Sequence, residues 1–322
     1  GGMRLHALAA VLLLAATDSP DFELPPHARA LLEQGRWGAT PTSFRVIVLS
    51  QLADGCAAQG LARPEFSAQA RACVEGALKR ARELPKRGDA LFLSHLNLLY
   101  GAGDATGACL DEAEHRRLSA LLAAQSLADP LKHAASYVGR PFRWPADQSA
   151  TLASLARFDT AHGAQLSKAP IAAWEDVLAR HLDAQTGLPK SELTGKASNA
   201  ALPRGCANSF LVRYTSEFDA PLASTWWRAY QTHFLTRVGP TVGFREWPRG
   251  VEKKADVASG PIVCCVGAAA SAFAISAAKS QGDGALAAQL EASQAAAMAL
   301  VGGEGARGVL PEAIAFEGRW HR

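Results

Sequence analysis

Apolar residues arrive along this chain in two alternating kinds of segment. One kind is apolar all round. Phe44, Val46, Ile47, Val48 and Leu49 crowd the stretch from about Ser43 to Ala53, and Asp89, a good N-cap, precedes the apolar run Ala90 to Tyr100. Helices of this kind have no face to show to water and must be enclosed by others. Ala146 to Ala161, Ala207 to Phe218 and Pro261 to Lys279 continue the series. The other kind is half wet. About Glu65 to Leu84 carries Arg71, Glu75, Lys79 and Arg82 at helical spacing, and Leu110 to Leu127 gathers Asp111, Glu112, Glu114, Arg116 and Arg117 on one side. Pro170 to Leu182 follows, then a helix opening at Asp219-Ala220-Pro221 and stopped by Gly239-Pro240, then Gly284 to Leu300.

Enclosed and half-exposed helices thus take turns with a period of about 45–60 residues, which implies stacked helical hairpins. Five hairpins run from Ser43 to Leu300, while Pro25–Gln34 and Glu312–Glu317 are left over to supply a sixth. An open solenoid satisfies the pattern, and so does a closed ring with an inner and an outer layer. The expected fold is all-α, an (α/α)6 barrel or toroid. No linker interrupts it, so residues 17–322 are expected to form one domain.

Composition narrows the function classes. The 322 residues are 48% hydrophobic and 20% charged, with abundant alanine, which suits packed helices. A net charge of +3 spread over scattered basic residues offers no concentrated stripe for nucleic acid. At the start, Gly1-Gly2 ahead of Met3 reads as an expression scar. Arg4, His6, the apolar stretch to Ala16 and the small residues after it describe a secretory signal peptide, too short to span a membrane. The mature chain is then expected to begin near Thr17 and to be exported, in a periplasmic setting, with no stable membrane span. An N-terminal helix packed on the body is the alternative. Six cysteines, Cys56, Cys73, Cys109, Cys206, Cys264 and Cys265, lack zinc-ligand spacing. Cys56 and Cys73 fall on consecutive helices and could face each other, although spacing alone does not fix the pairing.

The chemistry is expected in three loops that lead into enclosed helices. Val242 to Gly250 alternates Phe244 and Trp247 with Arg245 and Glu246, and Asp256 precedes Ser259-Gly260-Pro261. Gly139 to Asp147 holds Trp144, Pro145 and Asp147; Pro203 to Asn208 holds Arg204 and Cys206. Large side chains mixed with ionisable ones suit a pocket wall better than a linker. His95 and Asn97 lie within an enclosed helix, where polar groups need partners or a wet cavity. Tyr214 points into that cavity or fills the core. Each has a plainer role: Asp147 as an N-cap, Asp256 as a turn residue, His95 and Cys206 as packing, Arg204 and Arg245 as loop bridges, Phe244 and Trp247 as pins. G-x-S-x-G, Walker and H-E-x-x-H motifs do not occur and no G-x-G-x-x-G follows a strand, which leaves phosphate and nicotinamide chemistry unsupported.

Trp144-Pro145-Ala146-Asp147, Arg204-Gly205-Cys206-Ala207-Asn208-Ser209, Gly243-Phe244-Arg245-Glu246-Trp247-Pro248 and Asp256-Val257-Ala258-Ser259-Gly260-Pro261 resemble, in this order, exported bacterial proteins similar to linalool dehydratase/isomerase. The resemblance covers most of the chain beyond about residue 40. It implies an α/α barrel and acid–base chemistry at an allylic alcohol, without metal or organic cofactor. It supplies residue types rather than a one-to-one assignment: His95, Cys206 and an acid at Asp147, Glu246 or Asp256. The loops and enclosed helices themselves offer Trp144, Arg204, Tyr214, Phe244, Arg245, Trp247 and Asn97 to surround the substrate.

Three functions compete. A cofactor-free lyase or isomerase would take a hydroxylated, partly apolar small molecule and use paired ionisable groups as acid and base. A glycoside hydrolase or polysaccharide lyase would use two carboxylates with Trp stacked on sugar. A periplasmic binding protein would hold a ligand without turnover, with ordinary carboxylate pKa values. A homo-oligomer stays open in each case.

Overall fold

A computed structural model of the chain describes residues 21–108, 111–301 and 309–321. The expected signal from Arg4 to Ala16 and Cys109 lie outside the described residues. The described residues are mostly helical, 62% of them in helices, with four short strands. No helix described is long and apolar enough to cross a membrane.

Among the described residues twelve α-helices follow in order: α1 (Pro26–Gln34), α2 (Arg45–Ala62), α3 (Ser67–Glu83), α4 (Ala90–Thr106), α5 (Glu112–Ala128), α6 (Pro145–His162), α7 (Lys168–Leu178), α8 (Gly205–Thr215), α9 (Ala220–Phe234), α10 (Ala268–Ser280), α11 (Gly284–Val301) and α12 (Val309–Trp320). Their ends follow local chemistry. The Asp89 carboxylate accepts from the Phe92 amide at 3.0 Å to open α4, and Asp219 does the same for Leu222 at 2.9 Å to open α9. Proline occupies the first position of α6, where a missing N–H costs nothing. Glycines in left-handed conformation end α1, α4 and α6.

The enclosed helices pack in sequence. Helix α2 lies on α4, α4 on α6, α6 on α8, α8 on α10 and α10 on α12, and α12 packs back against α2. The half-exposed helices α3, α5, α7, α9 and α11 each lie on the enclosed helix before them, and α1 rests on α12 and α3. Close approach at one contact depends on Gly55, where an added Cβ would stand 2.6 Å from the Phe316 ring. A disulfide between Cys56 and Cys73 joins α2 to α3.

Four expected boundaries shift. Helix α2 starts at Arg45 after a 3-10 turn over Thr42–Phe44, and α8 starts at Gly205 rather than Ala207. Helix α9 ends at Phe234. The residues up to Phe244 instead form an antiparallel hairpin of β1 (Leu235–Val238) and β2 (Thr241–Phe244), pairing Leu235 with Phe244 and Val238 with Thr241. Gly239-Pro240 is its turn, so the β-branched residues Thr236, Val238, Thr241 and Val242 go to strands. The stretch from Pro261 is not helical until Ala268. Ahead of it, β3 (Ile262–Val263) and β4 (Val266–Gly267) pair across Cys264 and Cys265, which both have positive φ (48° and 66°), the backbone of a tight two-residue hairpin. A bridge between Arg245 and Val266 sets the two hairpins side by side.

Candidate functional site

Helix α8 receives no capping hydrogen bond from the side chain of its own N-cap residue, Arg204. An uncapped amino end leaves backbone N–H groups without partners. Here the cap comes from 40 residues away. The chain leaving β2 crosses the start of α8, where the Gly205 amide donates to the Glu246 carbonyl at 2.8 Å and the Cys206 amide to Glu246 Oε2 at 3.0 Å. Gly205 makes the crossing feasible, since a Cβ there would stand 2.0 Å from the Arg245 carbonyl oxygen.

Glu246 is fully buried and surrounded by donors. Arg204 Nε donates to its Oε1 at 2.8 Å, and the Cys206 thiol reaches the same oxygen at 3.2 Å. The other edge of the guanidinium grips Asp256, Nη2 to Oδ1 and Nη1 to Oδ2, both at 2.8 Å. Trp247 lies against the same cation, its ring 4.9 Å from Arg204 Cζ. One arginine therefore joins two carboxylates, one buried and one open to solvent.

That difference in exposure separates the two acids. Burial pushes the Glu246 carboxyl up; Arg204 and the Cys206 donors pull it back without cancelling the effect, so it ends above its ordinary value. Asp256 meets a weaker burial penalty. Hydrogen bonds from Arg204 and from the Ser259 and Ala258 amides outweigh it and hold the carboxyl below its ordinary value. The same amides make Asp256 a turn residue as well, so both of its sequence roles are filled. Burial and the Glu246 charge drive the Cys206 thiol well above its usual range, so it stays protonated as a hydrogen-bond donor.

Asp147 keeps different company. It is the third residue of α6 rather than its N-cap, which is Trp144. Burial pushes its carboxyl up to about 7 and nearby Asp89 adds to this, against a hydrogen bond from Ser136 and the charge of Arg87. Asp89 fixes that neighbourhood, since its Oδ2 accepts from Arg87 Nε at 2.9 Å and from the Val138 amide at 3.2 Å. Asp147 is thus set among Asp89, Arg87 and Ser136, while Arg204 contacts both Glu246 and Asp256.

Other expected residues divide between inner polar positions and plain packing. His95 is buried, with Nδ1 2.7 Å from Ser50 Oγ and Nε2 without a partner, beside Phe210 and Tyr214. Burial, with the Arg157 charge, lowers its pKa to about 3, so the imidazole is neutral. Tyr214 is buried and accepts from Gln51 Nε2 at 3.0 Å. The Asn97 amide donates to Ser119 and Ser154, at 3.1 and 3.0 Å. Phe244 is core, stacked on Tyr230 with centroids 4.3 Å apart. Trp247 is buried under Arg204 and offers little surface to a ligand, while Arg245 bends back to the Trp247 carbonyl at 3.2 Å. Trp144 is half-buried, its indole N–H without a partner. A cleft of about 390 Å³ opens elsewhere, lined by Gly88, Asp129, His133 and Arg143 among others, and none of the expected site residues lines it.

Sequence reasoning missed one large group. Arg157 binds Asp54 through both terminal nitrogens (2.7 and 3.0 Å) and Glu217 through Nε (2.7 Å); Arg213 joins Glu217 at 2.5 Å and Glu317 at 3.2 Å. The available signal was an Asp or Arg inside an otherwise apolar helix: Asp54 in α2, Arg157 in α6 and Arg213 in α8. No family model matches the chain, and no curated protein matches it.

Proposed function

We propose that the chain is an (α/α)6 toroid enzyme that removes or relocates a hydroxyl group by acid–base chemistry, the reaction class of linalool dehydratase/isomerase. The return of α12 onto α2 supports the ring, since each enclosed helix then has two enclosed neighbours. In such a ring α6 and α8 stand side by side at about 8–10 Å, which brings Asp147 and the Arg204 cluster to one mouth. The observation that carries the chemistry is the buried Glu246 carboxylate, held at a helix start by Arg204 and Cys206 yet raised in pKa.

The roles follow from the protonation states. Asp147, titrating at about 7, carries the proton that the leaving hydroxyl takes away as water. Glu246, surrounded by donors and anionic at rest, accepts the proton from the neighbouring carbon while the double bond forms. Each group is then reset by exchange with water. Arg204, fixed by Asp256, keeps Glu246 aimed, and the half-buried Trp144 covers the apolar part of the substrate. A glycosidase is less well supported, because Glu246 and Asp256 sit on one guanidinium rather than facing each other across a sugar. The Cys56–Cys73 disulfide supports export, since such bonds persist in oxidising compartments.

Incubation of the full chain with tertiary allylic alcohols, linalool first, tests the proposal by headspace mass spectrometry. The expected result is a product lighter by one water from the wild type only. A wild-type yield equal to the enzyme-free control would refute the reading.

A further inference from the structure

We propose that Asp104, His115 and His162 form a binding site for a divalent transition metal of the zinc class, at the seam of α4, α5 and α6. Each residue comes from a different helix. Asp104 Oδ2 stands 3.1 Å from His115 Nδ1 and 2.9 Å from His162 Nε2, and the three donor atoms lie within 4.8 Å of one another. Zinc bonds of about 2.0–2.1 Å in a tetrahedron hold donors about 3.3 Å apart, close to both Asp104 distances, and the two imidazoles need only adjust within the 4.8 Å that bounds the three donors.

A second observation distinguishes the cluster from an ordinary ion pair. His115 is 1% exposed, and neither of its ring nitrogens has a hydrogen-bond partner. Nδ1 faces Asp104 at close range without hydrogen-bond geometry. Tyr100 stacks on the ring at 5.4 Å and Phe158 meets it edge-on at 4.9 Å, so packing holds it in this orientation. Leaving a buried polar atom unpaired costs about 1–3 kcal/mol. A cation between Nδ1, His162 Nε2 and the Asp104 carboxylate would satisfy that atom. Two imidazoles and one carboxylate select zinc, cobalt or nickel over calcium or magnesium. Asp104 and His162 are partly exposed, which gives an ion access. The fourth position falls to water, while Glu112, whose Oε1 lies 3.7 Å from His162 Nδ1, stands behind that ring as an outer partner.

The site is remote from the acid–base cluster. His162 ends α6 fifteen residues after Asp147, about 22 Å along the helix. Its role is to tie three helices together, and it does not depend on the reaction proposed above.

Metal-stripped full chain titrated with Co²⁺ tests the site. The expected result is the visible absorption of low-symmetry cobalt, saturating at one equivalent and bleached by Zn²⁺, with one zinc per chain retained after desalting. His162→Gln sits at a helix end and Asp104→Asn keeps its volume. Both should fold by circular dichroism yet lose the cobalt band and at least tenfold in zinc retention. Absence of a band in the wild type, or retention unchanged in both variants, would overturn the site.

Discussion

Glu246 and Asp256 share one guanidinium and are nevertheless shifted in opposite directions, because one is buried and the other is not. At the level of single residues this makes pH the most informative variable. With Glu246 as base, activity rises with pH as its carboxyl ionises, above the ordinary carboxylate range. With Asp147 as acid, activity falls as the pH passes about 7. A bell-shaped rate profile is therefore expected, and Asp147→Asn should remove the alkaline limb along with most of the rate. Glu175 is also pushed up to about 7 by burial and by Asp219, so the Asp147→Asn comparison is what assigns that limb. Gly205→Ala would force its Cβ into the Arg245 carbonyl; a loss of about 1–3 kcal/mol by denaturant unfolding is expected, with Glu246 displaced. Arg204, Glu246 and Asp256 were legible as polar groups in costly surroundings. Phe244 and Trp247 misled for the same reason: a large ring in a polar stretch can pack inward as readily as line a pocket, and sequence does not say which way it points.

At the scale of elements, helix order and type were readable because enclosed and amphipathic segments differ in composition. The two hairpins were not. Leu235 to Phe244 has too few residues for strand alternation to separate from a helix end, and Cys264-Cys265 in positive φ has no common sequence signature. The α2–α3 pair gives a direct test. Cys56 and Cys73 close a loop of 17 residues, for which a bridge contributes about 3 kcal/mol. Reductant, or Cys56→Ala with Cys73→Ala, should lower the urea midpoint by that order, whereas an unchanged midpoint would mean that packing alone joins the helices.

For the whole molecule, the network of Asp54, Arg157, Arg213, Glu217 and Glu317 joins α2, α6, α8, the turn after α8 and α12. No local pattern could announce it, because its members are spread over more than 260 residues of sequence. Burial opposes ionisation of Glu217 and Glu317, but the arginines win; Glu217 is held far below its ordinary value and Glu317 at about 2. A depressed folded-state pKa stabilises above the unfolded value of about 4.3 and is lost as pH falls through the folded one. Thermal midpoints should therefore drop steeply between about pH 4 and 2. Arg157→Ala, which leaves Asp54 and Glu217 with Arg213 as their remaining cation, should cost about 3–5 kcal/mol at neutral pH, and Arg157→Met less when paired with Asp54→Asn and Glu217→Gln.

The central claim is that Glu246 acts by moving a proton, and Glu246→Gln tests it most directly. Glutamine keeps the volume and an oxygen to accept from the Cys206 amide, so the start of α8 stays capped. Turnover and ligand affinity should be measured on the same substrate in wild type and variant. Turnover is expected to fall by about 10²–10⁴-fold, the usual contribution of general acid–base catalysis, with affinity nearly unchanged. Turnover within a few-fold of wild type would contradict the account.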